Sequence, residues 1–195
     1  VNSLDIEFLC ITGDFIDAPG VSEHALSALR SCRVPIYFSI GNHERYEDLD
    51  DILARLERLG VNVLRSRTIT QGQVQLIGID DAENPSHVRQ ELAALDIDPN
   101  QFVLLLYHRP RGLRAAAERG IDLMISGHTH NGQIVPFNFV VARVFKRTVG
   151  LFQHGLTQLY VSPGTGTWGP VMRLGSRGEV TFFVVCPQRD VKVPP

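Results

Sequence analysis

Four apolar runs in this sequence each lead into a residue type that binds metal ions. The runs cover residues 7–11, 36–40, 102–107 and 123–125, and each has the composition of a buried β-strand. The residues that follow them are Asp14, Asn42, His108 and the pair His128 and His130. Ligands and catalytic groups of α/β sheets gather beyond the carboxyl ends of the strands. The sequence therefore predicts that these five side chains meet in one site.

Amphipathic helical segments separate the strands. The clearest is a stripe of leucine and isoleucine at helical spacing from Leu49 to Leu59, which ends at Gly60. The pattern predicts further helices over residues 21–29, 86–95 and 113–119, and further strands over residues 63–64, 68–70, 74–79, 159–161 and 180–185. This alternation indicates an α/β fold, with a single domain over residues 1–195.

Composition restricts the partners. The sequence is 44% hydrophobic and 21% charged, which is typical of a globular protein, and its formal net charge is -2. That charge argues against a broad electrostatic contact with nucleic acid or with an anionic membrane. The cysteines at positions 10, 32 and 186 have no metal-ligand spacing and are interpreted as reduced thiols. No apolar run reaches about 18 residues, so no transmembrane helix is predicted.

The candidate ligands belong to motifs that follow one another in a set order. The motifs are Gly13-Asp14, Gly41-Asn42-His43-Glu44, His108 and Gly127-His128-Thr129-His130. This series resembles the motif set of the calcineurin-like metallophosphoesterases. The segments DLMISGHTHNGQIVP and LYVSPGTGTWGPVMRLGSRGEVTFF are similar to the bacterial branch typified by the phosphodiesterases YaeI and YkuE. The resemblance covers nearly the whole chain and implies a four-layer α/β/β/α sandwich.

The resemblance also implies a centre of two divalent metal ions, which could be Mn, Zn or Fe. Asp14 would bridge the two ions, and His130 would bind the first. Asn42, His108 and His128 would complete the shell of the second. Two cations about 3.5–4 Å apart polarise a phosphoryl group and generate a hydroxide nucleophile. An extended backbone between His128 and His130 would direct both imidazoles to the same side.

One motif of the family has no counterpart here. In the family, a D-x-H motif after the first strand supplies an aspartate and a histidine to the first metal. Only thirteen residues precede Asp14, none of them is histidine, and Asp5 lies at the wrong end of the strand. The resemblance therefore implies an N-terminally truncated chain that lacks its first strand. Such a chain could hold one metal or none and could be inactive by itself.

The function that the resemblance implies is metal-dependent hydrolysis of a small phosphorylated substrate, most specifically a phosphodiester. His43 would stabilise charge at the scissile phosphate or protonate the leaving oxygen. One alternative is a pyrophosphatase of nucleotide-lipids such as a UDP-diacylglucosamine, which exposed aliphatic side chains around the cleft would favour. Another is a non-catalytic binding module with the same fold. A cytoplasmic location and membrane association through an upstream segment both stay open.

Two other patterns have weaker interpretations. Residues 164–169 have G-x-G-x-x-G spacing, but Pro170 and a β-like stretch follow where a helix is needed to hold a pyrophosphate, so no nucleotide cofactor is predicted. Trp168 in this loop is expected to be a lid or a core residue. Arg109, Arg111 and Arg114 follow a ligand strand and could orient a phosphate or form a solvated helix face.

Overall fold

The computed structural model describes residues 1–18 and 20–186. Its first β-sheet has three parallel strands, in the order β1 (Leu9–Ile11), β2 (Ile36–Phe38) and β3 (Val61–Val63). β1 lies at the edge of this sheet and, within the described residues, pairs only with β2.

The second sheet has six strands. In spatial order they are β4 (Arg67–Gln71), β5 (Val74–Ile79), β6 (Phe102–Tyr107), β7 (Leu123–Ser126), β9 (Thr157–Val161) and β8 (Gly150–His154). β5, β6, β7 and β9 are parallel, whereas β4 and β8 are antiparallel edge strands. The central strands β5, β6 and β7 are largely buried on both faces, which explains their nearly continuous apolar sequences.

Five α-helices accompany the sheets. They are α1 (Glu23–Leu26), α2 (Leu49–Arg58), α3 (His87–Ala94), α4 (Leu113–Glu118) and α5 (Phe137–Val144). α2 begins after Asp48, whose carboxylate accepts the backbone N–H of Asp51 at 3.1 Å and so caps the helix. Its apolar stripe includes Ile52 and Leu56, which have no exposed surface. This stripe packs in one cluster with Phe38 of the first sheet.

Three apolar clusters define four layers. The first cluster joins α1 and α2 to the outer face of the first sheet. The second lies between the two sheets and contains Tyr37 from β2 and Leu104 from β6. The third joins the other face of the second sheet to α3 and α4, for example through Leu105, Leu92 and Ala116. The order of helix, sheet, sheet and helix confirms the predicted α/β fold.

The structure differs from the predicted secondary structure in four places. Residues 180–185 form no strand, because no neighbouring strand within the described residues pairs with them; Phe183 instead packs edge-on against Tyr160, with 5.3 Å between the ring centroids. The sequence predicts neither α5 nor β8, since α5 is rich in valine and phenylalanine, which favour strands, and β8 is a largely exposed edge. The helix expected over residues 21–29 is an α-helix only in α1 and continues as a 3-10 turn at Ser27–Ser31.

In the described part of the chain, no helix is both long enough and apolar enough to span a bilayer. Even α2, with ten residues, rises only about 15 Å, which is half the thickness of the hydrocarbon layer.

Candidate metal centre

The carboxyl ends of four parallel strands meet where the two sheets come together. Asp14 follows β1 and Asn42 follows β2 in the first sheet, while His108 follows β6 and His128 follows β7 in the second. His108 Nδ1 lies 2.7 Å from the carbonyl oxygen of Thr12, so a hydrogen bond joins the loop after β1 to the end of β6. The packing of the two sheets thus places ligand-type residues from both of them side by side.

Asp14, His108 and His128 form a compact cluster. His108 Nε2 lies 2.9 Å from Asp14 Oδ2 and 3.0 Å from His128 Nδ1. One ligand atom of each residue lies within 4.8 Å of those of the other two. Because the Thr12 carbonyl accepts the Nδ1–H of His108, Nε2 is directed into the cluster, as a metal-binding histidine requires. Carboxylate oxygen and imidazole nitrogen together suit Mn, Zn or Fe.

Burial and mutual charge set the protonation states of the cluster. Burial acts to raise the pKa of Asp14, but the hydrogen bond and the charge of His108 outweigh it and lower that pKa to about 2. Burial acts to lower the pKa of His108, but the hydrogen bond to Asp14 outweighs it and the pKa is raised. Burial and then the charge of His108 lower the pKa of His128 to about 3. His128 is therefore neutral near pH 7, which is the form that binds metal.

Two buried polar atoms near this cluster have no hydrogen-bond partner within the described residues. Asn42 Nδ2 donates to the Tyr46 hydroxyl at 3.3 Å, while Asn42 Oδ1 is left unpaired. His130 Nδ1 is also buried and unpaired. An unpaired buried polar atom costs about 1–3 kcal/mol, so each such atom in a native structure needs an explanation such as a bound ion. Both atoms belong to residues that the sequence assigns to metal, so the residues present fit a metal centre.

His43 lies at the margin of the cluster. Its backbone N–H donates to Asp14 Oδ1 at 2.9 Å, and its Nε2 lies 3.8 Å from Asp14 Oδ2. Its ring packs edge-on against Tyr46, with 5.3 Å between the centroids. The side chain retains 15% of its exposure, more than Asp14 or His108. The backbone of His43 thus orients the carboxylate, and its imidazole remains within reach of solvent.

Two glycines allow the loops after β1 and β2 to touch. A Cβ on Gly13 would lie 2.4 Å from the Gly41 nitrogen, and a Cβ on Gly41 would lie 2.2 Å from Asp14 Oδ1. Gly13 also has a φ of 83°, a left-handed conformation that other residues rarely adopt. Any side chain at Gly41 would therefore displace the Asp14 carboxylate.

Glu44 is a site residue to which the sequence assigned no role. It has no exposed surface, and its carboxylate accepts four backbone N–H groups. Oε2 accepts from Gly41 at 2.8 Å and from Asp14 at 3.0 Å. Oε1 accepts from Phe15 at 2.7 Å and from Ile16 at 3.1 Å. Four such bonds offset the cost of burying the charge, so Glu44 joins the ligand loop after β1 to the loop after β2. In the sequence, the one available signal for this role was the position of Glu44 in the motif Gly41-Asn42-His43-Glu44.

Residues 1–132 match the calcineurin-like phosphoesterase family, and this segment includes all five predicted ligands. The chain belongs to this family. Membership in a family of metal-dependent phosphoesterases accounts for the carboxylate and imidazole donors at the strand ends.

Relatives of this calcineurin-like phosphoesterase occur in bacteria and animals. A metallophosphoesterase of Helicobacter pylori strain J99 is 31% identical over 208 residues, covering 97% of this chain and 54% of the relative. A transmembrane protein with a metallophosphoesterase domain from Bos taurus is 34% identical, covering 95% of this chain and 47% of the relative. The chain therefore spans about half the length of these curated relatives.

A solved structure supports the fold independently. The crystal structure of phosphopantetheinyl hydrolase from Mycobacterium tuberculosis is similar to this phosphoesterase with a TM-score of 0.51 and 13% sequence identity. The similarity covers 79% of this chain and 77% of that one. At this identity the comparison establishes a shared fold.

The segment from His128 to His130 is not extended, so that prediction is wrong. His128, His130 and Asn131 have φ angles of 69°, 49° and 51°, and a short 3-10 turn begins at His130. The Thr129 hydroxyl holds the turn, since it accepts the Asn131 N–H at 3.3 Å and donates to the Thr148 carbonyl at 2.5 Å. The turn allows His128 to join the cluster, while His130 lies beside it. Alternation along a strand cannot describe this arrangement.

A glycine-rich loop is fastened to this turn. The buried Gln133 donates through Nε2 to the carbonyls of Trp168 at 2.8 Å and Pro170 at 3.0 Å. Its Oε1 accepts the Trp168 N–H at 2.7 Å. Arg173 donates to the carbonyls of His130 at 3.2 Å and Gly166 at 2.6 Å. Trp168 is 50% exposed and so is not a core residue, while its role as a lid stays a prediction.

Replacing Gln133 with alanine is expected to release this loop. The Trp168 N–H loses its acceptor and two carbonyls lose their donor, so the free energy of unfolding should fall by about 2 kcal/mol. Trp168 is the chain's single tryptophan, and its quenching by acrylamide should rise as the loop opens. Gln153→Ala, at an exposed position in β8, is the matched control. Equal quenching in the two variants would contradict the role of Gln133.

The three arginines after β6 differ in their surroundings. Arg109 is buried, and its Nε lies 2.8 Å and 3.0 Å from the two carboxylate oxygens of Asp81. Arg114 is exposed and pairs with Glu118 one turn later on α4. It therefore lies on the solvated face of that helix. The guanidinium of Arg111 lies over the ring of Phe145 at 5.6 Å. Arg109 is therefore engaged in an ion pair and is not available to orient a phosphate by itself.

Proposed function

We propose that this chain supplies most of the active site of a metal-dependent phosphodiesterase. The observation that carries the proposal is the convergence of Asp14, His108 and His128 at the strand ends of a phosphoesterase fold. Phosphoester hydrolysis follows from the family. The choice of a phosphodiester rests on the similarity of residues 122–136 and 159–183 to bacterial phosphodiesterases.

Two metal positions are proposed. Asp14, Asn42, His108 and His128 would hold one divalent cation, and Asp14 and His130 would contribute to the other. Cations bound there supply the charge that polarises a phosphoryl group and activates water. The unpaired, buried Asn42 Oδ1 and His130 Nδ1 support this assignment. Because the other position has only two ligands from this chain, we expect it to bind metal more weakly.

His43 is the proposed proton donor to the leaving oxygen. Its Nε2 faces the Asp14 carboxylate at 3.8 Å, at the margin of the proposed metal centre. A protonated ring at this margin can stabilise charge on the phosphate and then give its Nε2 proton to the departing oxygen. The hydrogen bond from the His43 backbone N–H to Asp14 Oδ1 holds the imidazole close to the carboxylate.

Metal content per chain, measured by elemental analysis, is the first test. It is measured on the 195-residue chain and on a longer version that carries an upstream strand, and both are assayed with bis(p-nitrophenyl) phosphate. We expect the longer version to bind more metal and to hydrolyse the diester faster. Absence of metal and of hydrolysis in both versions would favour the non-catalytic binding module.

Replacing His43 with alanine is expected to lower kcat by about 10²–10³-fold, since general acid catalysis contributes about 10²–10⁴. Metal content should stay unchanged, because His43 is not among the proposed ligands. The loss should be greater for a substrate with an alkoxide leaving group than for one that releases p-nitrophenolate, which departs without protonation. His24→Ala, at an exposed position in α1, is the control. A loss of activity that merely follows a loss of metal would contradict the proposed role.

A phosphoester carried on a lipid is the second candidate substrate class. The nucleotide-lipid alternative predicts exposed aliphatic side chains around the cleft, and α5 exposes such side chains a short distance after His130. Faster turnover of a lipid-linked diester than of a soluble diester would favour this class. Equal turnover of the two would favour a soluble substrate.

A further inference from the structure

Helix α5 exposes large apolar side chains on most of its circumference. Phe137, Phe139, Val140 and Val144 are 49%, 69%, 53% and 64% exposed. Only Asn138 and Val141 of this helix are half-buried. Contiguous exposed apolar patches are uncommon on soluble monomers and mark contact sites. The surface of α5 is therefore a candidate contact site.

The same helix adjoins the metal centre. Phe145, the residue directly after α5, packs edge-on against the ring of His128 with 5.2 Å between the centroids. The start of the helix lies on the turn after His130, so closely that a Cβ on Gly132 would be 2.2 Å from the Cα of Asn138. A partner bound to α5 is therefore brought to the margin of the proposed active site.

Charge is distributed unevenly along the chain. There is no aspartate or glutamate between Asp122 and Glu179, and this interval contains Arg143, Lys146, Arg147, Arg173 and Arg177. The net charge of -2 is thus the sum of a basic part, residues 123–178, and an acidic part, which is the rest of the chain. Arg143 and Lys146 are exposed, and neither forms an ion pair with a carboxylate of the described residues. The net charge of the whole chain therefore does not describe the local charge beside α5.

We propose that α5 and the following residues to Arg147, here called the α5 surface, dock onto an anionic lipid membrane. Phenylalanine and valine would enter the interface between headgroups and acyl chains, while Arg143 and Lys146 would contact anionic headgroups. The helix has eight residues and rises about 12 Å, so it lies in the interface and does not span the bilayer. If the chain is a phosphoesterase, docking would bring it to phosphoesters at a membrane surface. That conclusion about the substrate rests on the proposed hydrolase function, whereas the docking proposal does not.

Two other occupants fit the surface less well. A second copy of the chain, related by a twofold axis, would place the basic residues of one α5 surface against those of the other, and like charges in contact oppose association. Nucleic acid would meet the basic side chains and its bases could stack on the phenylalanine rings, but it offers no apolar interior for the exposed Val140 and Val144. A lipid interface alone satisfies the apolar and the basic groups together.

Co-sedimentation of the purified 195-residue chain with vesicles tests the proposal. Vesicles of phosphatidylcholine alone are compared with vesicles of phosphatidylcholine and phosphatidylglycerol in a two-to-one ratio. We expect binding to the anionic vesicles that weakens in high salt. Phe139→Ser/Val144→Ser should weaken it at least about tenfold through lost apolar burial. Arg143→Gln/Lys146→Gln should weaken it by about fivefold per residue.

Two variants serve as matched controls. Leu156→Ser removes an apolar side chain that is 93% exposed in the hairpin between β8 and β9, at the end of the second sheet opposite to His128. Arg30→Gln/Arg33→Gln makes the same charge change on two exposed residues that lie outside the basic part of the chain. Both should bind vesicles as the unaltered chain does.

The outcomes separate docking from catalysis. Hydrolysis of a soluble chromogenic diester should be unchanged in Phe139→Ser/Val144→Ser, and vesicle binding without any hydrolysis would count against the hydrolase function alone. The docking proposal is overturned if anionic vesicles do not sediment the chain, or if both α5 variants bind as well as the controls. It is also overturned if the chain forms a dimer that Phe139→Ser/Val144→Ser dissociates, because a second copy would then cover the surface.

Discussion

Replacing Asp14 with asparagine is expected to lower metal content and to slow phosphoester hydrolysis by at least about 10³-fold, because cations contribute several kcal/mol of charge stabilisation. The substitution keeps the shape of the side chain but removes the negative charge that lies 2.9 Å from His108 Nε2 and 3.8 Å from His43 Nε2. An amide also offers one acceptor oxygen where the carboxylate offers two. Elemental analysis and steady-state kinetics on the version that hydrolyses the diester measure both effects.

The matched control for this variant is Asp51→Asn. Asp51 lies in α2, is 55% exposed and pairs with Arg55 one turn later, so its loss should alter neither metal content nor rate. If Asp14→Asn kept both its metal and its rate, Asp14 would have no place in the metal centre. The cluster with His108 and His128 would then be a structural ion pair.

Replacing Glu44 with glutamine should produce a large loss of stability. Glutamine has one acceptor oxygen for four backbone N–H donors, and its amide group would face two of them. We expect the free energy of unfolding to fall by about 4 kcal/mol, since a hydrogen bond to a charged group contributes about 1.5–3 kcal/mol and an unpaired buried donor costs about 1–3 kcal/mol. For a chain of this size the midpoint of thermal unfolding should fall by about 10 °C.

This loss is measured by urea unfolding with a chelator present, so that metal release does not contribute. Glu57→Gln, at an exposed position in α2, should change the free energy of unfolding by less than about 0.5 kcal/mol. With metal present, Glu44→Gln should also weaken metal binding, because the loops that carry Asp14 and Asn42 are no longer joined. A Glu44→Gln variant as stable as Glu57→Gln would show that the four hydrogen bonds are dispensable.

Sequence pattern and tertiary structure agree best in the centre of the second sheet. The sequence predicts strands over residues 74–79 and 102–107, and β5 and β6 have the same bounds. Both are parallel strands buried on two faces, so their local sequence is continuously apolar and admits one interpretation. The stripe from Leu49 to Leu59 predicts α2 equally well, because its 3.6-residue period matches the face that packs on β2.

The predictions fail where local preference and tertiary position disagree. α5 is formed from residues that favour strands, and its Asn138 packs closely on Gly132 of the turn after His130. Residues 180–185 have the composition of a strand but find no strand partner within the described residues. The turn at His128 and His130 adopts positive φ angles that residue type alone does not predict.

The sequence by itself determined which donors are present, in what order they occur and at which strand ends they lie, because apolar runs and the polar residues after them are local features. Only the tertiary structure decided which atoms meet. The contact between Asp14 and His108 joins the two sheets, and the role of Glu44 depends on two loops that touch because β1 and β2 pair side by side in the first sheet. Such contacts arise between residues far apart in the chain, so their geometry follows from the packing of the layers and from no local pattern.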